Sequence, residues 1–254
     1  MKIIDLVEPF VKNYEASVEY LNDYYSKYEN DYEEYFKYHC LHVEEKKQKA
    51  IDLHPAKLQD LLPMRDLFII PKITNAYESM FPITFTKDVH LLVGLYGSNA
   101  YTYRQYNPEV AFCLEKLPYN EKYIQIIIAH EFGHAAHHLY NDINQISWDK
   151  VDWINPHTWL LQEGIATYLS TKIIQADLDE YFAFEEGKKW IRYGGNHFIY
   201  MRLGYYLGYR VVVNLAERLG IEEVLTLWEN HDFNEMMKKQ LQKLYRQNSD
   251  AETG

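Results

Sequence analysis

The chain has 254 residues, with 26 Lys and Arg against 37 Asp and Glu, and a formal net charge of −11. This acidic balance argues against a nucleic-acid-binding protein, which would need a basic face. No run approaches the ~18 apolar residues of a membrane span, and Asp5 and Glu8 interrupt the apolar segment that a signal peptide would need. We therefore expect a cytoplasmic protein with no nucleic-acid or membrane partner.

Residues 11–42 carry a seam of aromatic and apolar residues, and much of it is tyrosine, of which the chain has 24. The members of the seam recur in alternating steps of three and four, which predicts one long amphipathic helix. We expect this helix to lie across the rest of the molecule. Self-association or partner binding through its tyrosines is the alternative.

The pattern changes after a helical stretch over residues 64–80. Three segments rich in β-branched and aromatic residues follow, at 83–97, 98–106 and 109–117. Their partly alternating order predicts the strands of a small antiparallel or mixed sheet. We expect an α+β fold that is mostly helical, in which this sheet precedes the helix described next.

Residues 123–139, YIQIIIAHEFGHAAHHL, contain His130, Glu131 and His134 in the pattern H-E-x-x-H. On a helix the side chains at i and i+4 share one face, so both imidazoles can bind one metal ion. Glu131 would stand beside that ion and could act on a water bound to it. Asn120 is a suitable N-cap for this helix. The alternative is an amphipathic core helix whose histidines bind no metal.

Catalytic zinc sites typically use three protein ligands and one water. The chain lacks the Gly and His that would complete the pattern H-E-x-x-H-x-x-G-x-x-H. Asn155 as N-cap and Pro156 at the first helical position predict a second helix, which carries Glu163 among apolar residues. A carboxylate in such surroundings is usually paired or ligating. Glu163 is therefore the candidate third ligand of one Zn²⁺ per chain, and Gly164 is expected to let its helix pack closely against the first.

The segments HEFGH at 130–134 and EGIA at 163–166 resemble the gluzincin group of zinc metallopeptidases. Together with GYYLGYRVV at 204–212, they are similar to the YjaZ-like bacterial zinc-dependent proteases, a family catalogued as a domain of unknown function. The resemblance covers residues 70–215. It implies a zincin-like fold and hydrolysis of peptide bonds, with Glu131 as the general base.

The resemblance also implies roles outside the metal ligands. Gluzincins draw a Tyr or His that stabilises the oxyanion from the region after the glutamate helix, which here suggests Tyr205, with His197 as the alternative donor. Asn99 and Ala100 resemble the Asn-Ala of an edge strand that binds the substrate backbone. An ordinary hairpin asparagine is the other interpretation of that pair.

One position departs from the family pattern. Thr167 stands where thermolysin-type enzymes carry an aspartate that braces a zinc histidine. Orientation of the histidines must then come from elsewhere, and Asp149, Asp152 and a backbone carbonyl are the candidates. The segment that carries these two aspartates also contains Trp148 and Trp153, which could wall the cleft or only pack the second helix.

We predict a helical N-terminal extension over residues 1–62 that packs on the core, a zincin-like catalytic domain over 63–245 and a flexible tail over 246–254. The favoured interpretation is a zinc-dependent peptidase that acts on a peptide or protein substrate. The same water chemistry would serve a zinc hydrolase of non-peptide amides or esters. A non-catalytic helical interaction protein is the third candidate. Cys40 and Cys113 both lie outside the motif and do not favour a closed structural zinc site.

Overall fold

The structure is a computed structural model that describes residues 1–176 and 203–251. This part of the chain is mostly helical and contains one small mixed sheet, an α+β arrangement. The helices are α1 (Val7–Asn13), α2 (Val18–Lys27), α3 (Glu29–Glu34), α4 (Val43–Arg65), α5 (Ile70–Met80), α6 (Glu121–Ile143), α7 (Pro156–Ile174), α8 (Leu203–Leu219), α9 (Ile221–Leu225) and α10 (Phe233–Ala251). The strands are β1 (Ile3–Asp5), β2 (Val89–Leu92), β3 (Ala100–Thr102) and β4 (Val110–Cys113). No helix in the described ranges is long and apolar enough to cross a membrane.

The prediction of one long helix over residues 11–42 is wrong. α1 ends at Asn13, and the side chain of Ser17 caps a new helix by accepting a backbone N–H bond at 3.0 Å. A second break at Tyr28 separates α2 from α3, and a π-helix over Tyr35–His39 follows. The aromatic seam continues across these breaks because each short helix turns its own aromatic residues toward one core.

The sheet has the strand order β1-β2-β4-β3. β1 and β2 are parallel, β2 and β4 are parallel, and β3 is antiparallel to β4 with Ala100 opposite Phe112. Strands β2, β3 and β4 fall inside the three predicted segments but are much shorter. β1 is an addition that local pattern did not indicate, since Ile3 pairs with the distant Val89. β3 forms one edge of the sheet and packs against α6.

Helix α4 runs across the predicted division between residues 62 and 63, and one hydrophobic core contains residues from α1 through α10. The division into an extension and a catalytic domain stays a prediction. Helix α10 also continues past residue 245 to Ala251.

The two predicted N-caps of the metal-site helices are confirmed. The side chain of Asn120 accepts the N–H of Tyr123 at 2.9 Å, and that of Asn155 accepts the N–H of His157 at 2.9 Å. Each bond satisfies one of the N–H groups that a helix start leaves without a partner. Helices α6 and α7 therefore begin directly after Asn120 and Asn155, as the sequence predicts.

Glycines set the spacing of the helices around the site. A Cβ on Gly133 of α6 would lie 2.9 Å from the Cα of Ala166, so α6 and α7 touch there. The expectation that Gly164 packs against α6 is wrong. A Cβ on Gly164 would lie 2.4 Å from the backbone carbon of Gly208, so this glycine serves the contact between α7 and α8.

Candidate metal centre

His130, His134 and Glu163 meet between α6 and α7. The Nε2 of His130 lies 3.2 Å from Oε2 of Glu163, and the Nε2 of His134 lies 3.4 Å from the same oxygen. One ligand atom from each of the three residues lies within 4.8 Å of the others. The structure thus brings together the three side chains that the sequence predicts as metal ligands. We call His130, His134 and Glu163 the metal group, for the ion that they could hold.

Two of the three separations in this group match those of a tetrahedral zinc site, and all three are within 4.8 Å. Bonds of about 2.0–2.2 Å from zinc to nitrogen and oxygen ligands would separate neighbouring tetrahedral ligands by roughly 3.3–3.6 Å. The two distances to Glu163 are close to that spacing. Two imidazoles and one carboxylate leave a fourth position for water, as catalytic zinc sites require. Elsewhere in the described residues, no group of three His, Cys, Asp or Glu could hold a metal.

The electrostatics of the group are those of a carboxylate paired with an imidazole. Burial raises the pKa of Glu163, but the charge of His134 and hydrogen bonds from both histidines outweigh it and hold that pKa far below its usual value. Burial lowers the pKa of His134, and the opposite charge of Glu163 more than reverses this, so the pKa of His134 is raised. Glu163 is therefore ionised and paired with His134, and a metal ion bound here would replace the proton on that imidazole.

Glu131 is held by a residue that sequence reasoning missed. The hydroxyl of Thr102 lies 3.0 Å from Oε2 of Glu131 and 3.0 Å from its backbone carbonyl oxygen, and its single proton is shared between these two acceptors. Thr102 belongs to β3, so the sheet edge fixes the position of a carboxylate on α6. No local motif surrounds Thr102 in the sequence, and only the antiparallel pairing of β3 brings it to the site.

Tyr77 of α5 supports α6 from the other side. Its hydroxyl donates a 2.7 Å hydrogen bond to the backbone carbonyl of Ala129, the residue before His130. Tyr77 is fully buried. This bond anchors the turn of α6 that carries His130 to α5.

A cleft of about 660 Å³ opens in front of the metal group, and β3 lines one side of it. The backbone N–H of Cys113 bonds to the carbonyl of Asn99, and that of Tyr103 bonds to the carbonyl of Glu109. The backbone N–H and C=O groups of the odd-numbered residues of this strand therefore point toward β4. Those of Thr102 point toward the open edge of the sheet. The cleft thus has a strand edge available along one wall.

The predicted substrate-binding pair divides between two positions. Ala100 lines the cleft, whereas Asn99 does not. The side-chain oxygen of Asn99 accepts the N–H of Ala100 at 3.0 Å, and its carbonyl accepts the N–H of Cys113 at 2.7 Å. Asn99 is therefore bonded within the sheet, as the hairpin interpretation expects.

Tyr205 reaches the metal group from α8. Its ring centroid lies 5.7 Å from that of His130, and the residue lines the cleft. Its ring also contacts Trp159 at 6.0 Å. The alternative donor, His197, lies outside the described residues.

Both predicted tryptophans of the inter-helix segment line the cleft. Trp148 and Trp153 stand with ring centroids 4.5 Å apart, and Trp159 of α7 lines the same cleft. His138, which continues the face of His130 and His134 by one turn, packs edge-on against Trp148 at 4.7 Å. Trp159, which lies one turn before Glu163 on α7, was not indicated by any motif in the sequence.

The two aspartates that the sequence suggests as braces for His130 and His134 do not contact them. Asp149 is exposed, and Asp152 accepts the N–H of Ile154 at 3.1 Å. Neither aspartate lines the cleft. Thr167 is buried, and its hydroxyl oxygen has no hydrogen-bond partner among the residues that the structure describes.

Comparisons of this chain with protein-family models, with curated proteins and with solved structures find no match. A function for the chain therefore has to be inferred from the residues around the cleft. The most informative of these are His130, Glu131, His134 and Glu163.

Proposed function

We propose that this protein is a zinc-dependent peptidase of the gluzincin type that acts in the cytoplasm. It would have a zincin-like fold and would resemble the YjaZ-like proteases. One observation carries the proposal. His130, His134 and Glu163 converge at the spacing of tetrahedral zinc ligands, with Glu131 beside them and a strand edge along the same cleft. Such a site needs one Zn²⁺ per chain.

When bound, zinc would lower the pKa of a coordinated water to about 7 and polarise the scissile carbonyl. The chain's own residues do the rest. The carboxylate of Glu131 accepts a proton from the attacking water, whose oxygen bonds to the carbonyl carbon. Glu131 then gives that proton to the amine nitrogen as the C–N bond breaks. Thr102 keeps the carboxylate of Glu131 turned toward the cleft through its 3.0 Å hydrogen bond.

Tyr205 is the proposed donor to the negative charge that develops on the carbonyl oxygen. A second donor is generally needed there, because hydrogen bonds aimed at developing charge give large rate effects. The position of Tyr205 beside His130 and in the cleft lining supports this role. The backbone groups of Thr102 on the open edge of β3 would pair with the substrate backbone as an added strand.

The shape of the cleft supports a peptide rather than a small amide or ester. An extended peptide can use a free strand edge, whereas a small substrate would be served by a closed pocket. The tyrosines on which a non-catalytic interaction surface would depend are mostly turned inward, since Tyr24, Tyr25, Tyr32 and Tyr35 are buried.

Zinc binding is the first test. The purified chain should contain about one zinc, and His134→Ala and Glu163→Ala should each weaken zinc affinity by more than about 100-fold, since both remove a direct ligand. Affinity is measured by competition with a chelator, because two histidines and water can still hold metal weakly. The matched controls are His231→Ala and Glu235→Ala, which change exposed residues outside the cleft. A wild-type chain that binds no supplied zinc would overturn the metal site.

Cleavage of a peptide library by the zinc-loaded chain is the second test. Glu131→Gln should lower the rate about 10²–10⁴-fold, the usual contribution of a general base, and should retain zinc. Cleavage of small amides or esters without cleavage of any peptide would instead assign the site to a non-peptide hydrolase.

A further inference from the structure

Three of the four tryptophans in the described ranges line the cleft. Trp153 is 42% exposed and Trp159 is 38% exposed. The fourth, Trp228, is buried and contacts Trp153 at 5.5 Å. Large apolar side chains left uncovered in a cleft are a mark of ligand binding, and Trp is enriched among residues that dominate binding energy. We call Trp148, Trp153 and Trp159 the tryptophan wall.

The wall is supported by its neighbours. Trp148 is flanked by Tyr106 at 5.0 Å and by His138 at 4.7 Å, and Trp153 lies against Trp148 at 4.5 Å. These residues come from the β3–β4 connection, from α6 and from the segment before α7. Rings that are already held in place lose little freedom on binding, which favours affinity for a matching group.

The wall lies close to the metal group. His138, against which Trp148 packs, is four residues after His134 on α6, a rise of about 6 Å. Trp159 precedes Glu163 by one turn on α7. A substrate whose scissile carbonyl lies at the metal would therefore bring the side chain next to that bond to the tryptophan wall.

Charge also selects among substrate side chains. The carboxylates that line the cleft within the described residues are Glu131 and Glu163, both at the metal group. The cationic side chain of the lining in the same ranges, Arg104, lies over the ring of Tyr38 at 4.5 Å. No charged side chain belongs to the wall itself, so a guanidinium placed there would gain a cation–π contact with an indole but no ion pair, and would lose part of its hydration.

We propose that the tryptophan wall binds an aromatic side chain of the substrate, in the residue next to the scissile bond. The peptidase would then select Phe, Tyr or Trp there over aliphatic and charged residues. Aromatic rings gain from edge-on and offset contacts with indoles beyond the area they bury. The cleavage preference rests on the proposed function, whereas binding of the ring does not require catalysis.

The test compares the binding of three ligands to the full zinc-loaded chain, and calorimetry measures each dissociation constant. Three peptide hydroxamates are compared that differ only in one side chain: benzyl, isobutyl or guanidinopropyl. The hydroxamate anchors each compound at the metal, and the side chain reports on the wall. We expect the benzyl compound to bind about fivefold to tenfold more tightly than the isobutyl compound. The guanidinopropyl compound should bind more weakly than both.

Variants locate the preference. Trp153→Ala and Trp148→Leu should bring the benzyl and isobutyl compounds to within about twofold of each other. Trp153→Phe should keep most of the preference, because it keeps a ring at the same position. Tyr245→Ala is the control, since Tyr245 is 76% exposed on α10 and does not line the cleft. Circular dichroism and zinc affinity check that each variant folds.

Each result has a definite meaning. Equal binding of the benzyl and isobutyl compounds by the wild-type chain, or tighter binding of the guanidinopropyl compound, would overturn the proposal. So would a benzyl preference that persists in folded Trp153→Ala and Trp148→Leu. Peptide cleavage without aromatic preference at either residue beside the cut would leave the peptidase standing and remove the wall. A benzyl preference in a chain that cleaves no peptide would support the tryptophan wall as a binding site for aromatic rings and would overturn the peptidase.

Discussion

Two regions of the molecule are rich in aromatic residues, and they use them differently. In the N-terminal region, Tyr25 and Tyr32 are buried and donate their hydroxyls to the carbonyl of Val93, at 3.2 and 2.9 Å. The hydroxyl of Tyr35 accepts the N–H groups of Leu95 and Gly97 at 2.7 and 3.0 Å. These tyrosines complete the hydrogen bonding of the loop after β2. In the cleft, by contrast, Trp rings stand partly uncovered beside the metal group.

The difference shows that aromatic content does not locate function. The 24 tyrosines are the conspicuous feature of the composition, yet those of α2 and α3 mainly fill the core and satisfy backbone groups. A buried hydroxyl without a partner would be costly, so each bond of this kind is part of the stability of the fold. The rings of Trp153 and Trp159 also contact other rings of the cleft, but they keep 42% and 38% of their surface exposed, where a ligand can contact them.

The largest expected effect is a test of the buried side of this comparison. Tyr32→Ala should lower the free energy of unfolding by about 3–5 kcal/mol, because it removes a fully buried ring and leaves the Val93 carbonyl with fewer donors. Trp153→Ala, at the cleft, should cost less than about 1 kcal/mol. Urea unfolding followed by circular dichroism measures both.

Tyr245→Ala is the matched control on an exposed tyrosine and should change the free energy of unfolding by no more than about 0.5 kcal/mol. If Tyr32→Ala were as mild as Tyr245→Ala, the tyrosines of α3 would not be core residues. The contrast between the two regions would then be lost.

The second effect concerns the pH dependence of the buried region. Burial raises the pKa of Glu115 to about 7, against hydrogen bonds from Gly94 and Tyr96 that lower it. Its Oε1 accepts the N–H of Tyr96 at 3.1 Å, and its Oε2 has no partner within the described residues. The folded state thus holds the proton more tightly than the unfolded state does. The stabilisation is complete below about pH 4.5 and is lost as pH rises through about 7.

A shift from 4.5 to about 7 corresponds to ~3 kcal/mol. Glu115→Gln keeps an acceptor for Tyr96 and cannot ionise. Relative to this variant, the wild-type chain should therefore lose about 3 kcal/mol of unfolding free energy between pH 4.5 and pH 8. Unfolding of both chains across that range gives the difference directly, and groups common to both cancel. Parallel pH curves would show that Glu115 ionises as freely in the folded chain as in the unfolded one.

Local sequence predicts those features that depend on neighbouring residues. The spacing of His130 and His134 on one helix face is a property of the helix, and the caps Asn120 and Asn155 act within three residues. Glu163 follows from its apolar surroundings on the next helix. The three members of the metal group can therefore be predicted from these two helices alone.

Features that depend on distant pairing were missed or misread. The seam over 11–42 keeps its three-and-four spacing through breaks after Asn13 and at Tyr28, so periodicity alone cannot reveal them. β1 forms because Ile3 pairs with the distant Val89. Gly164 packs against Gly208 of α8 and not against α6. Such contacts are set by tertiary packing, which overrides local preference.

The smallest effect tests the cleft side of the comparison, where a distant contact serves chemistry rather than stability. Thr102→Val removes the hydroxyl that donates to Glu131 at 3.0 Å and keeps nearly the same shape. A hydrogen bond to a charged group contributes ~1.5–3 kcal/mol, so kcat for peptide cleavage should fall at least about tenfold.

KM should stay nearly constant, because the backbone of β3, and not the hydroxyl, would bind the substrate. Thr102→Ser restores the hydroxyl and should recover most of kcat. Zinc affinity is measured alongside, because a loss of metal would also lower kcat without involving Glu131. A Thr102→Val chain that keeps full kcat would show that Glu131 needs no support from the strand edge. The contact between β3 and α6 would then serve stability alone, as the tyrosines of the N-terminal region do.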